Sequence, residues 1–148
     1  MSGEINLQKP TNLSYSRDII HCHPYLQERW PKVVYLFRDA TGNDLSITCT
    51  WRSAEEQQRL YMIGRGLPGR IVTMVDGITK MSDHNIYPSR ALDVVVNITV
   101  GNIKPAITWD AKEYSPLIEV CRKVGLVSGG SWERFKDFPH ICLPPGVL

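Results

Sequence analysis

Ala91-Leu92-Asp93-Val94-Val95-Val96 is the stretch on which the reading of the fold turns. Its aliphatic and β-branched residues mark a strand, with Leu92, Val94 and Val96 on one face and Ala91, Asp93 and Val95 on the other. The carboxylate is the anomaly in this run. A charge removed from water is costly unless it is paired, so Asp93 requires a cation, a set of hydrogen-bond donors or an edge position. A structural salt bridge is the commoner outcome and metal ligation the rarer one.

Upstream, the loop Ser82-Asp83-His84-Asn85 places an imidazole before the strand; taken alone, His84 reads as a surface histidine. Residues 71–73, Ile-Val-Thr, form a short strand candidate after the glycine-rich loop 64–70. Leu45, Ile47 and Cys49 alternate with Ser46, Thr48 and Thr50, the period of a half-buried strand that delivers Trp51 and Arg52 at its end. Ser53-Ala54-Glu55-Glu56 then has the form of a capping box, opening a helix that runs to about residue 63, with Gly64 as its stop. Over residues 25–37, Leu26, Trp30, Val33, Val34 and Phe37 recur at helical spacing, and the interior Pro31 predicts one kinked helix or two short ones.

Downstream, residues 97–108 hold a weaker strand signal, interrupted by Gly101 and Pro105. Ser115 is expected to cap a helix with Pro116 at its first position, Leu117, Val120, Cys121 and Val124 on one face, and Gly125 as its stop. After a Gly129-Gly130 turn comes Asp137-Phe138-Pro139-His140, a carboxylate three residues before a histidine. In an extended chain these two side chains point apart, so joint service requires a turn or bulge at Phe138-Pro139. A satisfied core histidine explains His140 equally well. His21-Cys22-His23 is a second metal-like cluster, but no third ligand lies nearby and an N-terminal surface loop is the better reading.

A chain of 148 residues suits one domain with a core of its own, and 43% hydrophobic against 22% charged residues is the balance of a soluble globular protein. Helices and strands in mixed order predict an α+β domain around a largely antiparallel sheet. The net charge of +2 is too small to drive nucleic-acid binding, yet it does not repel an anionic polymer such as a cell wall. No run approaches the roughly 18 apolar residues of a membrane span, and the start Met1-Ser2-Gly3-Glu4-Ile5-Asn6 has no signal-peptide pattern. Synthesis in the cytoplasm without stable membrane insertion is therefore expected. Four cysteines without a C-x-x-C spacing read as buried thiols.

Two imidazoles and two carboxylates are a workable inventory for a catalytic zinc site. The order of the blocks carrying them resembles a known family, the zinc-dependent D-Ala-D-Ala carboxypeptidases and L-alanyl-D-glutamate endopeptidases, phage endolysins included. The resemblance extends over residues 26–143. It rests on Trp51-Arg52-Ser53 with Gln57 on the next helix, Gly66-Leu67-Pro68-Gly69-Arg70-Ile71-Val72-Thr73, Ser82-Asp83-His84-Asn85, Ala91-Leu92-Asp93, Gly125-Leu126, and the run from Gly129-Gly130-Ser131-Trp132 through Asp137-Phe138-Pro139-His140.

The resemblance implies a hedgehog/DD-peptidase-like α+β fold holding one Zn²⁺ over its sheet. His84, Asp93 and His140 would be the ligands, Asp137 the general base, and Arg52 the active-site arginine facing substrate. Ser82, Gln57 and Trp132 would support the ligands or bind substrate. It further implies a monomeric, single catalytic domain over residues 1–148, with 1–24 as an N-terminal extension. The partner would be a peptidoglycan stem peptide, cut between L-alanine and D-glutamate by a phage endolysin acting on the wall after holin-type release or lysis. A D-Ala-D-Ala carboxypeptidase and a non-catalytic zinc-stabilised wall-binding or virion module are the alternatives. The sequence departs from the family pattern in three places: eight residues separate His84 from Asp93, a longer loop than family members have; Ser131 replaces an aspartate; and Ile141-Cys142 replaces an aromatic-acidic pair.

Overall fold

The strand that anchors the sequence reading is the centre of the molecule. The computed structural model describes residues 8–99, 101 and 104–148, so the amino-terminal start and part of the 97–108 strand signal lie outside the described residues. In it β2 (Ala91–Ile98) pairs antiparallel with β1 (Asp44–Cys49) along one edge. Its other edge is shared by β5 (His140–Cys142) and the short β3 (Ala106–Thr108). β4 (Val127–Ser128) closes the sheet beyond β5, giving five strands in the order β1-β2-β5-β4 with β3 off that path.

Alternation along β2 sorts the molecule into a core side and a site side. Leu92, Val94 and Val96 are almost wholly buried, in a cluster with Leu26, Val33 and Phe37 of helix α1 (Pro24–Thr41) and with Leu117, Val120 and Cys121 of helix α4 (Pro116–Val124). Asp93, half a pleat away, faces the opposite side. The fold is thus the small α+β domain with an antiparallel sheet that the sequence predicts.

Several local expectations change. Residues 25–37 belong to one helix that runs through Pro31, capped by the His23 imidazole, whose Nδ1 accepts from Tyr25 N at 3.0 Å. His21-Cys22-His23 is not a surface loop: Cys22 lies in the core and pairs through its backbone with Ser89, and the two imidazoles bond Ser16 Oγ and Leu148 O. Ser53 caps α2 (Ala54–Met62) through Glu56 N, whereas the Glu56 carboxylate engages Arg59 rather than reaching back. Ser115 does not cap α4, because a one-turn helix α3 (Ala111–Tyr114), capped by Asp110, feeds directly into it. Gly125 does stop α4, in the left-handed conformation that glycine adopts without penalty.

Residues 71–73 form no strand. β-branched residues favour extended backbone, but a strand also needs a neighbour to complete its hydrogen bonds. Here Ile71 and Val72 are exposed, and the loop is held by the Gln57 amide, which donates to Thr73 Oγ1 and Val75 O. All four cysteines are free and buried, as expected. No helix among the described residues is long and apolar enough to cross a membrane.

Candidate metal centre

Sheet register brings the distant blocks together. Asp93 stands opposite Cys49 of β1 and opposite His140 of β5, so three strands present these side chains in one row. The turn required at Phe138-Pro139 is present: His140 N donates to Asp137 O at 3.1 Å, and Asp137 Oδ2 comes to 3.9 Å from His140 Nδ1. Asp137 N is in turn held by Gly129 O at 3.0 Å. That approach needs glycine, since a Cβ at residue 129 would sit 2.3 Å from Asp137 O.

His84 enters from a loop and is 2% exposed, which overturns its reading as a surface histidine. Ser82 Oγ accepts from His84 N, Asn85 Nδ2 donates to Arg52 O, and Arg52 N donates to His84 O at 2.8 Å. These bonds stitch the loop onto the end of β1 and carry the imidazole inward. Because Thr50 O can only accept, the 2.6 Å contact to it requires a proton on His84 Nδ1. In the neutral ring that leaves Nε2 as a bare lone pair. Nε2 is fully buried, 3.3 Å from Asp93 Oδ1, and makes no hydrogen bond. The same oxygen lies 3.2 Å from His140 Nδ1.

The second oxygen of Asp93 is engaged by Arg52, whose Nη2 is 3.3 Å from Oδ2. Gln57, 1% exposed, accepts from Arg52 Nη1 at 2.9 Å and so fixes the guanidinium from behind. The Trp132 ring lies 4.9 Å from the His140 imidazole and walls it. Arg52, Gln57, Ser82, His84, Trp132, Asp137 and His140 therefore surround Asp93 or its immediate neighbours, whereas His21 and His23 bond Ser16 and Leu148 elsewhere. Cys49, read from sequence as a packing thiol, joins them at 3.9 Å from His84 Nδ1 and 3.5 Å from Arg52 Nη2. Its alternation with Leu45 and Ile47 was visible in the sequence, but its register against Asp93 was not.

Electrostatics follow from this packing. Burial opposes a charge on His84, but the Asp93 carboxylate outweighs it and pushes the imidazole up to about 10. Burial likewise opposes charge on His140, and its hydrogen bond to Asp93 prevails, pushing it up to about 9. Burial also disfavours the Asp93 anion, yet the two imidazoles hold its carboxyl well below the usual range. Asp137 behaves oppositely: partial desolvation in the cleft, followed by the Asp93 charge, raises its carboxyl above the ordinary value.

The centre thus stabilises positive charge between two imidazoles and one carboxylate. Two groups of close donor atoms, Cys49/His84/Asp93 and Asp93/Asp137/His140, overlap at Asp93 and can hold a metal ion; His140 also belongs to a group with Asp83 and Cys142. The orphaned His84 Nε2, aimed at a carboxylate oxygen, is the observation that fits a cation best. Its Nδ1–H bond to a backbone carbonyl is the support that a metal-binding imidazole usually has. The cluster forms the floor of a cleft of about 690 Å³, with Ile71, Val72, Met74, Trp109, Phe135 and Lys136 on its walls.

Fold and site together define a small α+β domain built around a candidate metal centre at the base of an open cleft. No family model matches the chain. It is 31% identical over 109 residues to the peptidoglycan L-alanyl-D-glutamate endopeptidase CwlK of Bacillus subtilis strain 168, a match spanning 70% of this chain but only 63% of that relative. Its fold matches the crystal structure of the Serratia marcescens L-Ala D-Glu endopeptidase ChiX, with a TM-score of 0.58 and 21% identity over 90% of this chain and 89% of the other. Both of these similar proteins are named L-alanyl-D-glutamate endopeptidases, in keeping with the resemblance of the chain's motifs.

Proposed function

We propose that the protein is a zinc metallopeptidase that hydrolyses the L-alanyl-D-glutamate bond of peptidoglycan stem peptides. The observation that carries this reading is the convergence of His84 Nε2 and His140 Nδ1 on Asp93 Oδ1, with the Asp137 carboxylate beside them at the cleft floor. The name of the sequence relative supports the choice of bond.

In this reading His84, Asp93 and His140 hold one zinc ion per chain. Zinc in such a site supplies Lewis acidity and lowers the pKa of water toward about 7. Asp137 takes the proton of the attacking water on a carboxylate oxygen and passes it to the leaving amine. Its raised carboxyl moves it toward the range in which a general base can also act as an acid. Arg52, fixed by Gln57 and Asp93, stabilises charge developing on the carbonyl oxygen or holds a substrate carboxylate. Ser82 shapes the His84 loop, and Trp132 restrains His140. A monomer acting on the cell wall in lysis, as a phage endolysin does, fits this substrate.

Incubation with purified peptidoglycan, followed by identification of the new termini, tests the proposal. A new L-alanine carboxyl and D-glutamate amine, lost on chelation and restored by zinc, are expected. Released D-alanine would make the protein a carboxypeptidase, and no new termini would leave a non-catalytic wall-binding module.

A further inference from the structure

The cleft walls carry two permanent cations, and only one of them is committed to the protein. Arg52 is 14% exposed and bonds Asp93, Cys49 and Gln57. Lys136 forms no ion pair among the described residues; its one polar contact there is Nζ to Gly130 O at 3.4 Å. Phe135, Lys136 and Asp137 are consecutive, and all three line the cleft. An extended chain would turn alternate side chains to opposite sides.

The departure comes from Phe135, whose φ of 49° makes it the single non-glycine residue with positive φ among the described residues. An aromatic residue is strained there, and with its side chain 60% exposed little packing offsets the strain. The bend lies one residue before Lys136, an exposed residue of the cleft lining that directly precedes the proposed base in the chain.

We infer that Lys136 is a specificity-determining residue that recognises a free carboxylate on the leaving-group side of the scissile amide, namely the α-carboxylate of the D-glutamyl residue. This rests on the endopeptidase reading above. In a stem peptide the D-glutamyl residue continues through its side-chain carboxyl, so its α-carboxylate is free unless amidated. That group is attached to the carbon bearing the scissile nitrogen. Entering a cleft that already holds Asp93 and Asp137, it meets like charge and requires a cation. Arg52 is tied to Asp93, Gln57 and Cys49 and in this assignment serves the carbonyl oxygen, whereas Lys136 is the wall cation with no ion pair among the described residues.

The test compares two synthetic peptides, identical except that the α-carboxyl of the γ-linked D-glutamate is free in one and amidated in the other. Wild-type protein loaded with zinc is expected to favour the free acid in kcat/KM by about tenfold or more, the range for a hydrogen bond to a charged group. Lys136→Met should collapse the ratio of the two kcat/KM values toward one, and Lys136→Arg should restore most of it. A Met variant that keeps the wild-type ratio, whether its overall rate is high or low, overturns the inference alone. So does a wild type that prefers the amide or does not discriminate. Cleavage of neither peptide by the wild type would overturn the endopeptidase reading and this inference with it.

Discussion

Asp93 divides its two oxygens between two tasks: Oδ1 faces the imidazoles of His84 and His140, and Oδ2 faces the guanidinium of Arg52. Its sequence reading left salt bridge and metal ligand open, and the geometry provides both surroundings at once. The Asp137 carboxylate stands 3.9 Å from His140 Nδ1 and outside the proposed ligand set, so its loss should spare metal binding by that set. Asp137→Asn is expected to retain one zinc per chain by metal analysis while kcat falls by about 10²–10⁴-fold, the usual contribution of a general acid–base group. Full turnover in that variant would remove Asp137 from the mechanism.

The histidines make a further prediction about the metal-free protein. Both imidazoles have folded-state pKa values raised above the unfolded value of about 6.5. Their contribution to stability is therefore complete below about pH 6.5 and is lost as the pH rises through about 9 to 10. In chelator, the melting temperature should fall across that alkaline range, and His84→Ala should flatten the fall. A metal that replaces the protons binds more tightly as pH rises, so added zinc should oppose the alkaline loss.

At the level of elements, the Gly129 turn controls the Asp137 segment. Gly129→Ala brings a Cβ to 2.3 Å from Asp137 O and 3.0 Å from the Cβ of His140, both close to the centre. Denaturant unfolding should show a loss of about 1–3 kcal/mol for this overpacking, and zinc affinity should fall with it. The elements that sequence located well, β1, β2, α2 and the body of α4, each carry their own periodicity or caps. Those it misjudged depend on something outside the segment. Ile71 and Val72 have strand chemistry but no strand to pair with, and Ser115 lost its capping role to the preceding turn that Asp110 starts. Pro31 was legible as a breaker, but helix packing against the core carries α1 through it.

Across the whole molecule, the site was legible as an inventory and not as a geometry. Residue types and their order named His84, Asp93, Asp137 and His140, but sequence alone could not show that Asp93 and His140 are register partners in neighbouring strands. The burial of His84 was hidden for a related reason, since it depends on backbone bonds to Arg52 and Thr50 from a different part of the chain. Helices α1 and α4 take the aliphatic face of β2 and leave the Asp93 face to the cleft. One alternating strand therefore serves stability on one side and chemistry on the other.

The pairing of Asp93 with His140 spans 47 positions of sequence and is itself a rung of the sheet. A chain that has folded only as far as β2 owns two of the three expected ligands and lacks the strand that carries the last. Pairing β5 with β2 therefore brings His140 to Asp93 in the same step that extends the sheet. If His84, Asp93 and His140 hold the metal as proposed, occupancy of that set requires the strand that carries His140 to have joined the sheet.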